Sequence, residues 1–72
     1  GGLLIYPNPS KGVFELISED RIERVVIKNL LGEIVHQVNS NRVNISDYAA
    51  GVYLIEVTTD KGVVTKKVVK ES

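Results

Sequence analysis

The chain has 72 residues, 43% of them hydrophobic, with nine basic and nine acidic side chains and a formal net charge of zero. That length suits one domain with a single small core, and the zero balance argues against a nucleic-acid binder that relies on a basic excess. The absence of cysteine excludes a disulfide framework and any thiolate metal site.

Leu3 to Tyr6 is a short apolar run that suits an edge strand, stopped by Pro7, which has no N–H to give a ladder. Tyr6-Pro7-Asn8-Pro9 is expected to run extended, since residues before proline avoid the α region. Ser10-Lys11-Gly12 turns the chain into a second strand, Val13 to Ile17, with Phe14 and Leu16 on one face. After a polar connection, Arg24 to Leu30 holds the consecutive apolar residues of a well-covered strand, Val25, Val26 and Ile27. Leu31-Gly32-Glu33 predicts a tight hairpin turn into Ile34 to Val38, with Gly32 supplying a positive φ. Arg42 to Ile45 is a short strand.

Asn44 to Thr58 joins a predicted turn to the most apolar strand of the chain. Ser46 is expected to cap a single helical turn over Asp47, Tyr48, Ala49 and Ala50, which Gly51 would end in a left-handed conformation. Val52 to Val57 then alternates Val52, Leu54 and Glu56 against Tyr53, Ile55 and Val57, a pattern that suits a central strand covered on both faces. Thr59-Asp60-Lys61-Gly62 predicts a second hairpin, with a three- or four-residue loop ending in a glycine bulge. Val63 to Lys70 is the last strand, with lysines expected to be exposed. Short strands at intervals of roughly 8 to 12 residues, with no long helix, predict an all-β fold: a small Ig-like antiparallel β-sandwich of about seven strands.

The chemistry-bearing residues are sparse. His36 is the one histidine and no local motif joins it to a serine and an aspartate as a triad would need. Glu19, Asp20 and Glu23 cluster without the loop spacing of a calcium site, so neither a metal nor another cofactor is expected. The aromatic set is Tyr6, Phe14, Tyr48 and Tyr53, with no tryptophan, too few for a sugar-stacking platform once Phe14 and Tyr53 are assigned to the core. No apolar run approaches the roughly 20 residues of a membrane-spanning helix, and direct membrane insertion is not expected. These residues by themselves predict a non-catalytic binding or interaction module.

As an ordered set, Tyr6-Pro7-Asn8-Pro9 with Gly12, then Leu31-Gly32-Glu33, then Ile45-Ser46-Asp47 with Gly51-Val52-Tyr53, then Lys66-Lys67-Val68-Val69-Lys70 resembles the type A C-terminal sorting domain of type IX secretion cargo. The resemblance covers essentially the whole chain as one domain, with Gly1-Gly2 as a linker or cloning remnant. It implies fusion to the C-terminus of a secreted enzyme or adhesin in a Bacteroidota bacterium. It further implies passage of the cargo through the periplasm and the outer-membrane translocon with its shuttle and attachment proteins, and removal of the domain by a sortase-like peptidase. Carried onto this chain, the signal positions are Pro7, Asn8, Pro9, Gly51, Tyr53, Lys66, Lys67, Val68, Val69 and Lys70. Backbone geometry explains the prolines and glycines and core packing explains Tyr53, whereas no fold requirement is visible for the three lysines. The alternative reading is an adhesive or carbohydrate-binding sandwich appended to a secreted enzyme.

Overall fold

The computed structural model describes residues 2–72; Gly1, and with it half of the expected Gly1-Gly2 linker, lies outside the described residues. Seven strands follow in chain order: β1 (Leu3–Tyr6), β2 (Val13–Ser18), β3 (Ile22–Lys28), β4 (Ile34–Val38), β5 (Arg42–Asn44), β6 (Gly51–Thr59) and β7 (Gly62–Lys70). They form two antiparallel sheets, one of order β1-β2-β5 and one of order β4-β3-β6-β7. The two-layer arrangement is the predicted sandwich, with β6 in the interior of the larger sheet.

Side-chain alternation decides which residues meet between the layers. Phe14 and Leu16 of β2, Val25 and Ile27 of β3, Tyr53, Ile55 and Val57 of β6 and Val68 of β7 are buried together with Val43 and Ile45. Each such side chain removed from water contributes about 1.5–3 kcal/mol before the entropy of ordering is counted, so a domain of this size depends on nearly all of them. The opposite face of β6 is only half-buried at Val52, Leu54 and Glu56, because a two-layer sandwich leaves the outer face of each sheet to its own side chains. Val26 lies in register with Glu56 on that outer face, yet it is 4% exposed. Lys28 Nζ meets Glu56 Oε2 at 3.1 Å beside it. The expected cover on both faces of β6 is thus complete on one face and partial on the other.

The turns depart from expectation in four places. No helical turn follows Ser46: Tyr48 N–H donates to Ile45 C=O at 3.0 Å, closing a β-turn. Asn44 Oδ1 accepts from Ser46 N–H at 3.0 Å, so Asn44, and not Ser46, supplies the side-chain oxygen that organises this turn. A lone helical turn fixes several dihedrals for one hydrogen bond, and the Asn44 side chain offers the local backbone a better alternative. Gly51 does have a positive φ, +149°, but as the first residue of β6 and not as a helix exit. In the β6–β7 hairpin Thr59 pairs with Gly62, so only Asp60 and Lys61 form the loop, shorter than predicted. The third departure is at 7–9, where the chain bends and both X–Pro peptides are cis. The pre-proline restriction acts on φ and ψ and leaves the peptide isomer open, so an extended path does not follow from it. The fourth departure is the β3–β4 turn: Gly32 has the expected positive φ, +85°, but β3 ends at Lys28 and the turn spans Asn29–Glu33, with Asn29 Oδ1 accepting from both Leu31 and Glu33 N–H at 3.0 Å.

Candidate functional site

β7 is an edge strand, bonded to β6 on one side only. The bend at 7–9 carries the chain from β1 across to the other side of β7. There Asn8 acts as a short substitute for a neighbouring strand: Oδ1 accepts from Val69 N–H at 2.9 Å and Nδ2 donates to Lys67 C=O at 3.1 Å. Ser10 continues the pairing. Its N–H donates to Val69 C=O at 3.0 Å and its C=O accepts from Glu71 N–H at 2.7 Å, a parallel bridge to Lys70. Ser10 itself is buried; its Oγ donates to Val13 C=O and accepts from Gly12 N–H at 3.1 Å. A buried hydroxyl satisfied in both directions fixes the clasp to the start of β2.

The positions assigned by sequence converge on this clasp. Gly51 is in register with Lys70 and Tyr53 with Val68, so the β6 residues lie beside the C-terminal half of β7 while Pro7, Asn8 and Pro9 lie across its outer edge. Tyr53 adds a local tie, its hydroxyl donating to Ala49 C=O at 2.6 Å. Burial then separates the set. Tyr53, Val68 and Lys70 are 7%, 0% and 6% exposed, whereas Pro7, Asn8, Pro9, Gly51, Lys66, Lys67 and Val69 are accessible.

Lys70 therefore differs from the exposed lysine expected from the sequence. It shares the core-side face with Val68, and the Ser10 bridge lies against its backbone. Its stem is buried while Nζ reaches Glu71 C=O at 3.3 Å, as a long cationic side chain can when its end finds an acceptor. Lys66, in register with buried Ile55, also points to the core side but remains exposed, because a three-stranded layer does not cover all of a four-stranded one. Lys67 is on the outer face. Among the described residues neither Lys66 nor Lys67 has a carboxylate within ion-pair distance; the ion pairs formed are Lys28–Glu56, Arg42–Glu15 and Lys61–Asp60.

Among the described residues the remaining polar side chains are spread over separate local contacts. His36 Nδ1 lies 3.3 Å from the Tyr48 hydroxyl, with the two rings edge to face at 5.7 Å. That contact joins β4 to the turn before β6, and no serine or carboxylate completes it among the described hydrogen bonds. Among the described residues no three histidine or acidic side chains gather as a metal ion requires. Phe14 is fully buried with Tyr53 in the core, and Tyr48 packs on His36, so of the four aromatics only Tyr6 lies open, at 45% exposure. What the site offers is an edge strand, two free lysines and a clasp.

A sandwich that brings the signal positions assigned by sequence together at one edge strand has the build of a recognition module. The chain belongs to the secretion system C-terminal sorting domain family, whose model matches residues 4–71. It is a type IX sorting signal, working with that secretion system and a cargo fused N-terminal to it, and it sends the cargo across the outer membrane to the cell surface or beyond. No curated protein matches the chain.

Proposed function

We propose that residues 1–72 act as one non-catalytic address domain, read at β7 and the clasp while folded. The observation that supports this is the convergence of Pro7–Pro9, Gly51 and Tyr53 on the same half of β7 that carries Lys66 to Lys70. The exposed members, Pro7, Asn8, Pro9, Gly51, Lys66, Lys67 and Val69, form the surface presented to the outer-membrane translocon and its shuttle and attachment proteins. The buried members, Tyr53, Val68 and Lys70, hold that surface in place. The cargo reaches this step from the periplasm of a Bacteroidota cell, and a sortase-like peptidase then removes the domain. The test is a reporter with an N-terminal signal peptide, made with and without residues 1–72 at its C-terminus in a bacterium that has the type IX system. The domain-bearing reporter should reach the surface or medium and the other should stay in the periplasm. Equal distribution would reject the reading.

A further inference from the structure

The clasp covers only part of the outer edge of β7. Asn8 and Ser10 take the Lys67 C=O, both backbone groups of Val69 and the Glu71 N–H, so the odd-numbered residues of β7 face outward. Alternation along an antiparallel strand then turns Thr65 and Val63 outward as well. Their N–H and C=O groups and the Lys67 N–H have no partner among the described residues. An unpaired stretch of this kind is a template for one more strand. We propose that Val63 to Lys67 is a docking edge on which an extended, acidic segment of a partner in the export machinery adds as an outer strand, stopping where Asn8 begins. The proposal rests on the sorting function and specifies its mode of contact.

Charge selects the occupant. Lys66 projects to the core side of the edge and Lys67 to the outer side, both exposed and without a carboxylate, so an incoming strand meets a cation above and below its plane. A second copy of β7 paired over the same five residues would bring two more lysines and no acid to this edge, with the two Lys66 side chains in diagonal positions, so like charges crowd where an acidic strand would neutralise them. An acidic strand gains on both faces.

Thr65→Pro is the direct test. It removes an outward N–H that β6 does not use, and proline is tolerated at an edge where its N–H would face away from the sheet. Carried on the reporter, it should melt cooperatively and reach the surface about tenfold less than the parent, as the loss of an edge hydrogen bond and its neighbours implies. The pair Lys66→Glu and Lys67→Glu leaves every backbone group in place and should reduce export at least as much. Parent-level export of folded Thr65→Pro overturns the edge, and if that variant does not fold, parent-level export of the charge-reversed pair overturns it instead. Sedimentation of the isolated domain as a dimer that Thr65→Pro abolishes would replace the acidic partner by a second copy and also overturn the proposal. A parent reporter exported no better than one without the domain would reject the sorting reading itself, whereas failure of the variants alone leaves that reading standing.

Discussion

Gly12 lies against the backbone of Ser46 so closely that a β-carbon on it would fall 2.7 Å from both Ser46 N and Ser46 Cβ. Gly12 C=O accepts from Ile45 N–H at 2.8 Å at the same point, so the entry to β2 and the turn after β5 are joined with no room for a side chain. Its φ of +144° adds a second constraint. Gly12→Ala should therefore cost about 3 kcal/mol, combining backbone strain with overpacking. At Gly51 the φ is similar but the space for a β-carbon is open, so Gly51→Val should cost less, about 1–2 kcal/mol. Thermal or urea melts of the two variants check the order, and a smaller loss at Gly12 would contradict the close approach.

The Asn8 clasp should be visible one amide at a time. Asn8→Ala removes the acceptor of Val69 N–H and the donor to Lys67 C=O. Hydrogen bonds this exposed contribute modestly, so global stability should fall by about 1–2 kcal/mol. Exchange of the Val69 amide, and of Glu71 beside it, should accelerate by more than that loss accounts for, while the β3 and β6 amides follow the global change. Uniform acceleration across the sheet would mean that Asn8 does not hold β7 locally.

The lysines of β7 should divide by burial. Lys70→Ala removes a stem that is almost wholly out of water and should cost about 1–2 kcal/mol through lost packing. Lys66→Gln and Lys67→Gln alter exposed side chains without ion-pair partners and should shift stability by less than about 0.5 kcal/mol together. Denaturant midpoints of the three single variants decide this.

Carbohydrate recognition makes its own prediction. With Phe14 and Tyr53 in the core and Tyr48 against His36, no flat pair of aromatic rings is presented to a sugar. A glycan array should show no binding tighter than about millimolar. A tighter, specific hit would favour the adhesive reading.

The strands of the core were legible because their signal is local. Alternation in Val52 to Val57 and the apolar run Val25 to Ile27 follow from period-two geometry, and Gly32 marks its own hairpin. The Asn44 turn was legible in principle, since asparagine two residues before a turn nucleus is a known side-chain mimic of backbone, but the Ser46 cap competed for the same residues. The clasp was not. Asn8 meets Lys67 and Val69 across separations of 59 and 61 residues, and nothing near Asn8 specifies which strand edge it will reach. Lys70 was misplaced for a related reason: alternation puts it on the face of Val68, but whether that end of the face is covered depends on the distant Ser10 bridge. The motif residues were thus identifiable one by one, while their gathering into one site depends on tertiary structure.

The central claim is that the folded domain carries its signal on exposed side chains of β7, separately from what keeps it folded. Replacing Lys66 and Lys67 by glutamine on the same reporter tests this most directly, since neither lysine is buried or ion-paired among the described residues. The measurement is the fraction of reporter at the cell surface and in the medium, taken beside the melting midpoint of the isolated variant. The account predicts an unchanged midpoint and a reporter that accumulates in the periplasm. An unchanged midpoint with undiminished export would contradict it.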